Sequence, residues 1–170
     1  PAARRGRDLA AQSLPDASPG KWHLAHTSWF FEAMILSADP DYVPVNPRFQ
    51  QLFNSYYEAL GERVARPERG LMTRPSVEVV LAYRREVDRR MAAWLASGPT
   101  GGLERYLFEL GLNHDQQHQE LFLMDLLHLM SRSPLDPAAY DEEPRAAPLQ
   151  PPRGGVVVLR GRPGSGRPGR

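Results

Sequence analysis

The stretch Asn113-His114-Asp115-Gln116-Gln117-His118-Gln119-Glu120 places two histidines four residues apart in a segment that reads as one long helix. Positions i and i+4 share a helix face, one turn apart. Two imidazoles held that way can share a metal ion, and imidazole ligates zinc, iron, copper and nickel. Leu103, Leu107, Leu110, Leu121 and Met124 recur at helical spacing and predict a single buried stripe. His114 falls on that stripe and His118 on or beside it, so both rings are expected to point inward. Buried polar groups need partners. A metal ion, a catalytic pair or ordinary hydrogen bonding would each satisfy this pair.

A third histidine favours the metal. Ser18-Pro19 has the form of a helix start, Ser as N-cap and Pro at the first helical position. The helix is predicted to run through Trp22, His26, Trp29, Phe30 and Ala33 to about Leu36, stopping before Pro40. His26 falls on its aromatic stripe. His23 is rotated off that stripe, either exposed or contacting a ligand from outside. One core histidine on one helix and two on another supply three nitrogens, expected within about 3–4 Å of one another. Three protein ligands leave positions open for water or substrate, the pattern of a reactive site. The competing arrangement, two histidines and a carboxylate, lacks a candidate nearby. Glu120 lies two residues past His118, about 200° round the helix. Asp125, seven residues past His118, is a candidate partner for a ligand instead. His128, ten residues past His118, is about 15 Å along the axis and out of reach.

The elements that must position these rings are helical. A helix is predicted over about 19–37, and a second over Arg48–Glu62 with an aromatic core stripe of Phe49, Leu52, Phe53, Tyr56, Tyr57 and Leu60. A loop follows from Gly61 to Pro75. Ser76 caps a third helix reaching about Ala96, with Glu78 near its positive end and Val80, Tyr83, Val87, Met91 and Trp94 inward. Gly98-Pro99-Thr100-Gly101-Gly102 breaks it, and a last helix spans about Leu103–Met130. Strand signals are absent until Val156-Val157-Val158-Leu159, so the fold class is all-α, an up-and-down helical bundle.

A chain of 170 residues predicts one domain, here residues 1–132. The remaining 38 residues, 133–170, contain 8 Pro and 6 Gly, too many for regular structure, and end in a basic Arg/Gly/Pro run. That composition predicts a disordered tail. The chain has no cysteine, which excludes thiolate metal sites, disulfides and a cysteine nucleophile. The net charge of +1 gives no global case for nucleic acid, and no apolar run approaches the roughly 20 residues that span a bilayer. No signal peptide is visible, although the first residue is Pro1. The expectation is a cytoplasmic protein without nucleic-acid or membrane partners.

The words around the histidines resemble a known family. Ser18-Pro19-Gly20-Lys21-Trp22-His23-Leu24-Ala25-His26-Thr27-Ser28-Trp29-Phe30-Phe31-Glu32 is similar to the first metal motif of the ergothioneine-biosynthesis sulfoxide synthases. Leu52-Phe53-Asn54-Ser55-Tyr56-Tyr57-Glu58 and Arg66-Pro67-Glu68-Arg69-Gly70-Leu71 resemble their middle section. His114-Asp115-Gln116-Gln117-His118-Gln119-Glu120 resembles their second metal motif, where Glu is more usual than Asp115. The likeness covers roughly residues 10–135. It implies a DinB-like metal-binding bundle holding a non-haem iron(II) through His26, His114 and His118. Zinc(II) or another divalent metal is the alternative cofactor. Family members use dioxygen to join a cysteine-containing thiol to carbon 2 of the imidazole of trimethylhistidine, giving a sulfoxide. Gln117 matches a position near the imidazole substrate. Arg63, Arg66 and Arg69 cluster in one loop and could bind a substrate carboxylate, or could form a solvated basic loop offset by Glu62 and Glu68. No residue is assigned a catalytic role.

Two departures shape the expectation. The family has a further helix before the first histidine motif, and here only residues 1–12 could represent it. Its members also carry a second, larger domain resembling formylglycine-generating enzyme. Gly154-Gly155-Val156 resembles the opening of that domain before the Arg/Gly/Pro run begins, so 133–170 reads equally as its aberrant start. The bundle is therefore expected to bind metal without completing C–S bond formation alone, a separate chain supplying the lost domain. Two other readings stand beside this one: a divalent-metal, thiol-dependent transferase or isomerase on the same bundle, and a non-enzymatic remnant bundle.

Overall fold

The computed structural model describes residues 8–55, 64–98, 101–135 and 137. The segment Gly20–Met34, here α1, is buried over most of its length. Trp22, Ala25, Trp29 and Phe30 are each 2% exposed or less. Ordinary surface helices bury one stripe. α1 buries several because it packs against two other helices and forms the middle of the bundle. Its start differs from the sequence expectation. Pro19, not Ser18, takes the N-cap position, and no side chain caps the helix. Ser18 is engaged elsewhere: its hydroxyl accepts from Arg69 Nη1 at 2.9 Å, and its N–H donates to Asp125 Oδ2 at 2.9 Å. The end also comes earlier, at Met34, with a 3-10 turn over Leu36–Ala38 before Pro40.

Asn46 caps the short helix α2, Pro47–Leu52, its side chain accepting from the Arg48 N–H at 3.1 Å with Pro47 at the first position. The predicted helix over Arg48–Glu62 thus ends at Leu52, followed by non-helical Phe53, Asn54 and Ser55. Phe49 and Phe53 enter the core as expected, while Tyr56, Tyr57 and Leu60 lie outside the described residues. The loop predicted from Gly61 contains a 3-10 helix over Arg66–Leu71.

Helix α3, Val77–Ala96, agrees closely with its sequence signals. Ser76 Oγ accepts from the Val79 N–H, and Val80, Tyr83, Val87 and Met91 are buried. Gly98, at φ +72°, terminates the segment in the left-handed region that glycine tolerates. Helix α4, Gly102–Ser131, starts with Glu104 Oε2 accepting from the Gly101 N–H at 3.1 Å. No strand occurs among the described residues, and none of their helices is long and apolar enough to cross a membrane.

The predicted inward stripe of α4 is corrected. Leu103 is 69% exposed, Met124 64%, and Leu110 and Leu121 are also exposed. The face meeting α1 instead runs through Phe108, Gly111, Asp115, His118, Phe122 and Asp125. α4 carries leucines all round, so periodicity alone could not choose its buried side. Gly111 marks it: a Cβ there would lie 2.5 Å from Phe31 Cε1, so only glycine allows this approach of α1 and α4. Gly20 serves the same end on α1, where a Cβ would meet Leu9 Cδ2 at 2.5 Å and Phe122 Cε2 at 2.6 Å.

One buried polar knot fixes α1 to α3. Glu32 is fully buried and accepts from Tyr42 OH at 2.7 Å, Tyr83 OH at 2.6 Å and the Val45 N–H at 2.7 Å. A buried carboxylate needs this full set of donors. Burial and the adjacent Glu32 push the Tyr42 hydroxyl up to about 12, so it stays a donor at neutral pH. Between α3 and α4, Arg84 reaches Asp115 at 3.3 Å and Trp94 meets Phe108 at 6.0 Å.

Candidate metal centre

His26 comes from the buried middle of α1, and His114 and His118 come from successive turns of α4. The structure brings these three rings together. Each offers a nitrogen, and the three nitrogens lie within 4.8 Å of one another. That span is wider than the 3–4 Å expected from the sequence, so ligation at about 2.0–2.1 Å would draw the rings inward. Ring centroids are 4.9 Å apart for His26–His114, 4.7 Å for His26–His118 and 4.5 Å for His114–His118. No carboxylate joins this cluster among the described residues, and Glu120 is exposed.

The surroundings fix which nitrogen of His26 is free. His26 Nδ1 lies 2.7 Å from Phe53 O. A carbonyl only accepts, so Nδ1 carries the proton and Nε2 keeps its lone pair. The His26 ring is stacked on Trp22 at 4.5 Å and on Trp29 at 5.4 Å, both within 16° of parallel. His118 Nδ1 lies 2.9 Å from His23 Nδ1, and His23 Nε2 lies 3.0 Å from Asp125 Oδ2. His114 packs its ring on Phe30 at 4.7 Å, and its Nδ1 is buried with no hydrogen-bond partner among the described residues.

All three rings are held neutral. Burial lowers His26 well below the usual histidine range, helped by His118 and His114 beside it. Burial also lowers His114. His118 falls to about 3, first through burial and then through His114, His23 and Arg69. Metal binding requires deprotonated ligands, so this environment removes proton competition at neutral pH. A compact set of neutral nitrogens with one buried, unpartnered atom fits a divalent ion.

The cluster opens on a cavity of about 260 Å³ whose lining includes Gln117, Arg66, Arg69, Ser18 and Ser55. Of the two expectations for the arginine loop, the solvated one does not describe Arg69. Arg69 is 3% exposed, its guanidinium carbon stands 3.4 Å from the Trp22 ring centroid, and its nitrogens reach Ser18 Oγ at 2.9 Å and Ser55 Oγ at 3.4 Å. Arg66 and Gln117 are exposed and line the same cavity. Arg63 lies outside the described residues. Gln12 holds the 3-10 helix in place, donating to Arg66 O at 3.0 Å and accepting from the Gly70 N–H at 2.5 Å.

His23 is not exposed, which decides between its two predicted placements. It is 5% exposed and bridges His118 and Asp125. Sequence spacing missed this bridge because the partners are 95 and 102 residues away. His128 stands apart from the cluster, with Nδ1 2.8 Å from Ser13 Oγ. Asp115, where the resembling family has Glu more often, faces Arg84 and accepts from Gln119 Nε2 at 2.8 Å.

No curated protein matched this sequence in a search for similar chains. A family model does match, described as DinB superfamily and aligned over residues 6–132, which include every residue of the three-histidine cluster. With three quarters of its length matched, and as a helical bundle, the chain belongs to the DinB superfamily.

Proposed function

We propose that this bundle is the metal-binding part of an iron(II)- and dioxygen-dependent sulfoxide synthase. The reaction joins a cysteine-containing thiol to the imidazole carbon 2 of trimethylhistidine. The observation that carries the reading is the cluster of three neutral imidazoles, His26, His114 and His118, opening on a cavity lined by Gln117, Arg66 and Arg69. When bound, iron would supply the redox chemistry with dioxygen.

This chain's residues have separate tasks in that reading. His26 presents Nε2 because Phe53 O occupies its Nδ1, and the flanking Trp22 and Trp29 rings keep it from turning. Gln117 offers an amide to the substrate imidazole or its carboxylate. Arg66, at the cavity's exposed rim, offers a charge-assisted bond to a carboxylate. Arg69, buried against Trp22, places fixed positive charge beside the cavity. The Trp22 indole and Leu121 supply the apolar part of the cavity wall, which strengthens each of these interactions.

A second reading has its own support. An all-nitrogen, three-histidine set suits zinc as well as iron. A zinc-bearing, thiol-dependent transferase or isomerase would use the same three ligands. The test loads the protein anaerobically with iron(II) or zinc and titrates trimethylhistidine by calorimetry. The proposal expects saturable, metal-dependent binding that fails in Gln117→Ala or Arg66→Ala. No trimethylhistidine binding to either form, with low-molecular-weight thiol binding to the zinc form, would transfer the function to the second reading.

A further inference from the structure

The two Nδ1 atoms of His118 and His23 face each other at 2.9 Å. Two protons cannot occupy that gap, and two lone pairs would repel across it. One proton must lie between them, and its owner decides whether His118 can ligate a metal. If His118 owns it, His118 Nε2 keeps a lone pair. If His23 owns it, the neutral His118 carries its proton on Nε2 and that ligand is lost.

Asp125 decides the matter. Its Oδ2 stands 3.0 Å from His23 Nε2 and can only accept, so the His23 proton sits on Nε2 and His23 Nδ1 is left as an acceptor. The carboxylate is itself oriented, because the same Oδ2 accepts the Ser18 N–H at 2.9 Å at the entry to α1. His23 is 5% exposed and its ring lies edge-on to Trp22 at 5.9 Å, so it cannot swing out to exchange partners with water.

We propose that His23 and Asp125 are positioning residues that lock His118 as its Nδ1–H tautomer and aim the Nε2 lone pair at His26 and His114. The inference rests on the metal-binding reading above for its purpose, but its content is a proton position in the protein itself. Groups that orient a metal-ligating histidine from behind commonly change metal affinity by about 10–100-fold when removed. The whole line, Ser18 N–H to Asp125 to His23 to His118, ties the α1 entry to α4 through one set of directed bonds.

The test has two readouts. Long-range proton–nitrogen correlation spectra of the metal-free, ¹⁵N-histidine-labelled protein report the tautomer of His118 directly. Zinc affinity is measured by competition with a chromophoric chelator. The parent is expected to show His118 almost wholly as Nδ1–H. His23→Leu should produce a tautomer mixture and weaken zinc about 10–100-fold. His23→Gln, whose amide can accept from His118 and donate to Asp125, should restore most of both. If His23→Leu fails to fold by circular dichroism, Asp125→Ala at a partly exposed position decides by the same two readouts. An unchanged His118 tautomer and zinc affinity within twofold of the parent in a folded variant overturn the proposal. A parent that binds no zinc yet loses its His118 tautomer in His23→Leu would sink the metal reading and leave the positioning pair standing.

Discussion

Lowering the pH of the metal-free protein from 7 to 5 should remove at least about 1 kcal/mol of stability, and the loss should trace to the histidine cluster. His26 is held well below its ordinary value of 6.5 and His118 falls to about 3, in both cases first by burial. A histidine lowered in the folded state binds fewer protons there than in the unfolded chain. Its contribution is therefore complete above about pH 6.5 and is lost as pH falls toward the folded value. Between pH 7 and 5 each group with a folded value below 5 loses about 1.9 kcal/mol, whatever the full size of its shift. His118 meets that condition, and its partial exposure to solvent reduces its share to about 1 kcal/mol; His26, shifted in the same direction, adds to the loss. The window lies above the range where most carboxylates titrate, which isolates the histidines. Urea unfolding of chelator-treated protein, with a slope of about 1–3 kcal/mol per molar, should show the midpoint fall by at least about 0.3–1 M. His118→Ala should flatten the dependence. A midpoint unchanged across this range would mean that the rings are solvated and titrate normally, and the reasoning about a neutral, buried donor set would be wrong.

Other perturbations separate the cluster from its scaffold. His118→Ala should strip most bound metal from the protein while His128→Ala, whose ring faces Ser13, leaves it unchanged, as elemental analysis after desalting will show. Glu32→Leu abandons two tyrosine hydroxyls and the Val45 N–H and should cost about 3–5 kcal/mol in denaturant titration; a loss under 1 kcal/mol would deny the knot its structural role. Gly20→Ala forces a Cβ between Leu9 and Phe122, and the strain should outweigh the gain in helix propensity, lowering stability by about 1–2 kcal/mol in a thermal melt.

The site was more legible in the sequence than the packing that makes it. His114 and His118 announce themselves because i,i+4 spacing guarantees a shared face, and His26 because aromatic residues flank it at helical intervals. α3 could be bounded closely because Ser76 caps it and its apolar residues keep one phase. α4 could not be phased. Leucine covers both its faces, so the stripe through Leu103 and Met124 competed with the true one through Gly111 and Phe122. The histidines still face inward because the true stripe passes along their edge. The Ser18 cap failed for a tertiary reason: Arg69 claims the hydroxyl that a cap would have used. The bridge through His23 and the burial of Arg69 both depend on contacts distant in sequence, for which spacing carries no signal.

X-ray absorption at the metal edge of the iron(II)- or zinc-loaded protein tests the central claim most directly. A three-histidine centre gives first-sphere scattering from three nitrogens at about 2.0–2.2 Å, with the outer-shell pattern of three imidazoles, lost in part in His26→Ala. A spectrum of six oxygens without imidazole scattering, unchanged in that variant, would contradict the three-histidine centre.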